Sequence, residues 1–292
     1  MKTRTPSSGF AAEVASGERF EFGENWGRFL AVVGEERICE AQASLRTMLG
    51  RPDLAGLTFL DVGSGSGLFS LAAARLGATR VHSFDYDPSS VGCTSELRRR
   101  YAPAGADWTV QCGSVLDVGY IDALGCFDVV YSWGVLHHTG AMWTALDNAC
   151  AAVADDGRLF ISVYNDQGSR SRMWRAVKRR YNQLPERARL PFVLAVMVLR
   201  ELLTAGKSVV RVRPREYVRG WTNYKSTRGM SRWHDLVDWV GGYPFEVAKP
   251  EEVFEFCHDR GFEMESMRTC AGGLGCNEFV FHRNGRSPVP GS

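Results

Sequence analysis

The stretch FLDVGSGSGLFSLAAARLGATRVHSFDYD, residues 59–87, decides the fold. Its apolar opening reaches back to LTFLDV (57–62) and runs into glycines at 63, 65 and 67. GLFSLAAARLG (67–77) then favours a helix closed by Gly77, and RVHSFDY (80–86) is a second apolar run. Strand, glycine loop, helix, strand is the first unit of a doubly wound parallel sheet, whose ligands lie beyond the carboxyl ends of the strands. Asp85 closes the second strand about twenty residues after the loop, where a carboxylate can accept both hydroxyls of a ribose.

The same rhythm continues toward the carboxyl end. PSSVGCTSELRRRY is a helix opened by Pro88 at its first turn, DWTVQC (107–112) a third strand and FDVVYS (127–132) a fourth. GAMWTALDNACAAVADDG reads as a helix with Met142, Leu146, Ala149 and Val153 on one stripe, and GRLFISVY (157–164) as a fifth strand. The rhythm stops after Tyr164. It returns with the helix KPEEVFEFCHDRGF (249–262), followed by FEMESMRT and CNEFVFHR, an antiparallel pair. These elements predict an α/β protein: a doubly wound, mostly parallel seven-stranded sheet with an antiparallel last strand and a helical insertion. The expected organisation is an N-terminal helical cap over 1–54, a core over 55–164 and a basic helical insertion over 165–249. A helix and strand pair over 250–283 completes the core, and 284–292 is a disordered tail.

The 292 residues are 45% hydrophobic and 23% charged, a globular composition. No apolar run of signal-peptide length opens the chain, so a cytoplasmic protein is expected. The eight scattered cysteines, without a CxxC pair or zinc-site spacing, suit reduced, mostly buried thiols and no metal. A net charge of +2 hides a polarised chain: residues 165–232 hold 17 Lys+Arg against 4 Asp+Glu, the remainder 18 against 29. Within that basic stretch, RMWRAVKRRYNQL sets Met173, Trp174, Val177 and Tyr181 on one side, and LPFVLAVMVLRELL is apolar all round yet too short to span a bilayer.

A dinucleotide loop reads GxGxxG, its third glycine allowing close helix–strand packing; Leu68 occupies that place here. The sequence instead resembles the Rossmann-like, class I S-adenosylmethionine (SAM)-dependent methyltransferases in LDVGSGSG, FDYD, CGSVLD and FDVVYSWGVLHHTG. The resemblance covers roughly residues 55–164 and 249–283 and is nearest to the ubiquinone-pathway and natural-product small-molecule subgroup. It implies SAM as cofactor. Asp61 and the backbone at Gly63, Ser64, Gly65 and Gly67 would face the methionyl amine, carboxylate and sulfonium. Asp85 would bind the ribose, with Tyr86 beside the adenine. Ser114 and Val115 would meet the adenine edge, though the family often carries Asp where Ser114 stands. Ser132 and Trp133 would line the wall near the sulfur.

Methyl transfer is an in-line displacement, so the protein must align the nucleophile and exclude water, and a hydroxyl nucleophile also needs a base. His137, His138 and Tyr164 are the catalytic candidates, with Asn165 and Asp166 beside them. Each has a plainer reading too: a histidine bonded to backbone beneath its loop, or a strand-end tyrosine packed on the lid. Asn25 and Trp26, in FEFGENWGRF, would cover the cofactor from the amino-terminal side or merely pack. The basic insertion lies where this family places its lid, and its second half, REYVRGWTNYKSTRGMSRWHDLVDWVGGYPFEV, is the expected acceptor pocket. Its arginines suit an anionic acceptor, an anionic membrane offering an amphipathic one, or RNA. A solvated basic face, or a homodimer contact through the 190–204 helix, explains them equally. Nucleic acid ranks last, since no RNA-binding module is present. The activity expected is SAM-dependent methylation of a small-molecule acceptor, O-methylation foremost. A lipid-like, prenylated or RNA acceptor, an NAD(P)-dependent oxidoreductase, or a non-catalytic SAM-fold partner subunit are the alternatives.

Overall fold

The computed structural model describes residues 6–23, 26, 29–30, 33–210 and 239–285. Its strands are β1 (Thr58–Val62), β2 (Arg80–Asp85), β3 (Trp108–Cys112), β4 (Phe127–Trp133), β5 (Val153–Tyr164), β6 (Phe262–Arg268) and β7 (Cys276–Arg283). They form one seven-stranded sheet in the order β3-β2-β1-β4-β5-β7-β6. The first five are mutually parallel, and β7 runs antiparallel to both β5 and β6. The direction of strand order reverses between β1 and β4, the point where a doubly wound sheet opens a crevice.

Helices cover both faces: α1 (Pro6–Ala15), α2 (Glu35–Leu49), α3 (Leu68–Arg75), α4 (Pro88–Tyr101), α5 (Val118–Leu124), α6 (Met142–Ala151), α7 (Ser169–Gln183), α8 (Glu186–Val210) and α9 (Pro250–His258). Alternate residues of β1 serve opposite layers. Phe59 packs with Leu45 and Leu71 beneath α2 and α3, while Leu60 and Val62 pack with Leu146 and Phe279 on the other side. Burial on both faces is why these strands read as unbroken apolar runs. Gly67 holds φ 78°, and a Cβ there would stand 2.8 Å from the Thr94 Cγ2 and 3.0 Å from its Cα. The close-packing glycine is therefore Gly67 itself, which brings α3 against α4.

Two local expectations are corrected and one helix is added. α6 stops at Ala151, so Val153 belongs to β5, where it pairs with Phe127 across a register shift. The helix α5 went unread in the sequence; Asp117 caps it by accepting the Tyr120 amide at 3.1 Å. On α7 the buried stripe is Ser171, Trp174, Lys178 and Tyr181, while Met173 is 53% exposed. The helix turns this way because the Lys178 ammonium donates to the Trp239 carbonyl and lies 4.9 Å from the ring centroids of Trp239 and Phe245.

The insertion leaves and rejoins the sheet at one place: Asn165 bridges Ala248, whose amide donates to the Tyr164 carbonyl at 3.0 Å. α8 buries Val193 and leaves Leu190, Leu194 and Val198 exposed. Among the described residues no helix is long and apolar enough to cross a membrane. Most of the aromatic second half of the insertion, 211–238, lies outside the described residues. All eight cysteines are free; three are buried (Cys93, Cys150, Cys257) and two exposed (Cys39, Cys126), so mostly buried thiols is a description that holds for fewer than half.

Candidate active site

A cavity of about 1010 Å³ opens beyond the carboxyl ends of β1, β2 and β4. Its first wall is the glycine loop. The Gly63 and Ser64 amides both donate to the Phe84 carbonyl, at 2.9 and 3.0 Å, and the Gly67 amide to the Ser64 carbonyl at 2.8 Å. The Gly65 amide donates to Asp85 Oδ2 at 2.9 Å. These four amides are therefore spent, and the loop does not offer the row of free donors that a pyrophosphate requires.

Charge points the same way. Asp61, Asp85, Asp87 and Glu278 line the cavity, and among the described residues the one lysine or arginine lining it is Arg19. Arg19 is already engaged, with Glu13 at 2.6 Å and the His138 carbonyl at 2.9 Å. A cavity so provisioned suits a ligand carrying cationic and hydroxyl groups, not a polyphosphate. Burial raises the Asp61 carboxyl to about 7, partly opposed by the Ser70 hydroxyl and reinforced by Asp85. Asp85 rises to about 6, again through burial, against amide donations from Asp87 and Gly65.

Of the residues expected to hold the cofactor, Asp61, Gly63, Ser64, Gly65, Asp85, Tyr86, Ser114, Val115 and Trp133 line this cavity. Two do not. Ser132 is fully buried and donates its hydroxyl to the Val62 carbonyl at 3.1 Å, tying β4 to β1. Gly67 is taken up by the contact with Thr94. From the amino-terminal side Trp26 stands 3.1 Å from where a Gly65 Cβ would be and lines the cavity, while Asn25 lies outside the described residues. Tyr86 meets Phe10 edge-on at 5.6 Å, donates to Glu13 at 3.1 Å and lies under the Arg19 guanidinium.

The two histidines, adjacent in sequence, do different things. His137 is fully buried; its Nδ1 accepts the Tyr164 amide at 3.3 Å, which leaves the proton of the neutral ring at Nε2. Burial, then His138 and Lys178, lower its pKa well below the ordinary value. His138 is only half-buried and its Nδ1 lies 2.6 Å from the Pro244 carbonyl. A carbonyl only accepts, so Nδ1 carries the hydrogen and Nε2 holds the free lone pair. Burial, with Lys178 and Arg19 adding repulsion, brings His138 down to about 3, so the ring is neutral at physiological pH. Tyr164 packs at 4.0 Å on the His137 ring and 5.5 Å from that of His138.

The far wall is aromatic, with Phe20, Phe22, Trp174 and Trp239 joined by Met197 of α8. Several contributors escaped the sequence reading. Glu278 of β7 accepts the Trp133 indole N–H at 2.8 Å, and Cys270 and Leu274 come from the β6–β7 connection. Tyr131 presents a buried hydroxyl that makes no hydrogen bond among the described residues. Nothing in the local sequence marks these positions, because they join the site only through strand pairing.

The chain matches the profile of the methyltransferase domain over residues 33–193, more than half its length. It belongs to the methyltransferase domain family. Ubiquinone biosynthesis O-methyltransferase from Methylobacterium sp. (strain 4-46) is 35% identical over 121 residues, which cover 41% of this chain and 46% of that protein. The enzyme of the same name from Xanthomonas oryzae pv. oryzae (strain PXO99A) is 39% identical over 116 residues, covering 39% and 46%. The methyltransferase chain thus spans about half the length of the curated relatives it matches. Magnesium protoporphyrin IX methyltransferase from Synechocystis PCC 6803, solved with bound S-adenosylhomocysteine (SAH), shares the fold at a TM-score of 0.51 and 16% identity, with 90% of this chain and 94% of that one covered. The class I SAM-dependent methyltransferase fold is thereby established for this chain, and the family's cofactor is SAM.

Proposed function

We propose that this protein transfers a methyl group from SAM to a hydroxyl of a small, largely apolar acceptor, with His138 as the base. One observation carries the reading: the Nδ1 hydrogen of His138 is committed to the Pro244 carbonyl, leaving the Nε2 lone pair on a ring that lines the cavity. A base oriented by a second group in this way is the arrangement general-base catalysis needs. His137, whose Nδ1 is occupied by backbone and which is fully buried, serves the loop.

The residues suit SAM. Asp61 would take the methionyl ammonium, with the loop at Gly63–Gly65 as the close, side-chain-poor wall beside it, Asp85 the ribose hydroxyls, and Tyr86, Ser114 and Val115 the adenine. When bound, SAM supplies a methyl group on a sulfonium, already activated for displacement. The chain supplies alignment, dryness and a proton acceptor. As the new C–O bond forms, the attacking hydroxyl becomes far more acidic, so even a weakly basic Nε2 accepts its proton. Phe20, Phe22, Trp174 and Trp239 favour a flat or apolar acceptor, and the names of the relatives favour oxygen as the methylated atom.

Calorimetric titration with SAH, and with NADH and NADPH in parallel, tests the cofactor. Micromolar binding of SAH alone is expected; binding of a reduced nicotinamide instead would overturn the reading. Transfer of labelled methyl from SAM to hydroxylated aromatic acceptors, absent with their O-blocked counterparts, then tests the chemistry.

A further inference from the structure

Asp61 is the last member of a buried hydrogen-bond chain that crosses three strands. The Trp108 indole N–H on β3 donates to Ser83 Oγ on β2 at 2.7 Å. Ser83 Oγ donates to Ser70 Oγ on α3 at 2.7 Å, and Ser70 donates to Asp61 Oδ2 on β1. All four side chains are almost wholly inaccessible, at 4% for Trp108, 0% for Ser83 and Ser70, and 2% for Asp61. An indole nitrogen can only donate, so Ser83 accepts from it; Ser83 donates in turn to Ser70, and Ser70 to Oδ2 of the ionised Asp61. Strand register brings the members together: Ser83 pairs with Asp61 on one side and Val110 of β3 on the other.

We propose that Trp108, Ser83 and Ser70 are positioning residues which hold Asp61 as an oriented proton acceptor, and so govern how tightly the site takes the primary ammonium of its ligand. The proposal rests on the SAM reading above, in which Asp61 meets the methionyl amine. The chain opposes protonation of a carboxyl that burial favours protonating, and chained donors strengthen one another in a low-dielectric interior. The titratable groups that face Asp61 are Asp85 from β2 and Tyr131 from β4, and Glu278 of β7 acts in turn on Tyr131. From α3 its hydrogen-bond partner is the uncharged Ser70. Trp108, Ser83 and Ser70 do not line the cavity, so they act on the ligand only through Asp61.

The test compares two ligands across pH. SAH carries the ammonium; 5′-methylthioadenosine shares the adenosine and sulfur but lacks the amino-acid end. Ser70→Ala should weaken SAH binding at pH 7 by roughly tenfold or more, the worth of one hydrogen bond to a charged group. It should also shift the pH midpoint of SAH affinity upward and leave methylthioadenosine affinity unchanged. Ser83→Ala and Trp108→Phe should do the same more weakly, and Ser70→Thr should restore both affinity and midpoint. Equal losses for the two ligands would mean simple structural damage and overturn the proposal, as would an unmoved midpoint in Ser70→Ala. Should the wild-type protein bind neither ligand, the SAM reading itself fails, and the proposal falls with it.

Discussion

On one side the cavity is walled mainly by residues 61–69 and 84–87, whose amides and carboxylates are bonded to one another, and this is the side we propose for the cofactor. On the other side, proposed for the acceptor, the wall is assembled from Phe20, His138, Trp174, Met197, Trp239 and Glu278, drawn from most of the length of the chain. The first wall is polar, acidic and set by one βαβ unit; the second is aromatic and depends on how the insertion and β7 dock. A wall made of neighbours in sequence keeps its geometry as long as its unit folds. A wall made of distant residues is free to change its acceptor without disturbing the cofactor, which is how one fold serves many substrates.

Substitutions should separate the two sides. His138→Ala should lower turnover by roughly 10²–10⁴-fold, the usual worth of a positioned base, while calorimetry shows unchanged SAH affinity. A loss of SAH binding in that variant would erase the distinction between the walls. On the opposite side, Asp85→Ala should weaken SAH by about a hundredfold, since hydrogen bonds to a charged group are each worth about 1.5–3 kcal/mol. Far-ultraviolet circular dichroism should stay native in the same variant.

A smaller effect sharpens the electrostatic contrast. A protonated carboxyl cannot hold an ammonium, and the carboxyl of Asp61 is raised to about 7, while that of Asp85, beside the proposed ribose site, is raised to about 6. Below its pKa such a group loses its ionised form about tenfold for each further drop of one in pH, and the bound ammonium goes with it. SAH affinity measured by calorimetry should therefore climb by roughly tenfold as pH rises from about 6 to about 8. Turnover with saturating SAM should be flat over the same range, because His138 is already neutral. An acid limb near the ordinary histidine range of about 6.5 in saturated turnover would argue for a histidine of unperturbed basicity instead. The smallest effect on chemistry should come from His137→Ala: turnover within a few-fold of wild type, but thermal stability reduced by roughly 2 kcal/mol for a buried, backbone-bonded ring.

Much of this is legible in the chain alone. Pro88 at the first turn of α4 and Gly77 after α3 mark helix ends correctly, and Asp61, the loop at 63–65 and Asp85 do share one cavity. The helix ends and the shared placement are legible because each depends on residues within one turn or one strand–loop–helix unit. Ser132 and Gly67 lie outside that cavity: their residue types fit a ligand wall, but alternation along β4 and the contact with Thr94 turn them inward. Met173 fails because helical periodicity alone does not anticipate a buried lysine, and Lys178 finds its partners in Trp239 and Phe245, far along the chain.

The amino-acid sequence by itself determined the doubly wound sheet, its antiparallel last strand and the placing of the acidic residues and glycines at the carboxyl ends of its first two strands, all consequences of short-range periodicity and turn chemistry. Only the tertiary structure decided which of two adjacent histidines keeps a free lone pair, for that turns on whether a backbone amide at Tyr164 or a carbonyl at Pro244 meets the ring. It alone decided that Trp108 reaches Asp61 through two serines, because strand register, invisible along the chain, brings those hydroxyls into one buried row.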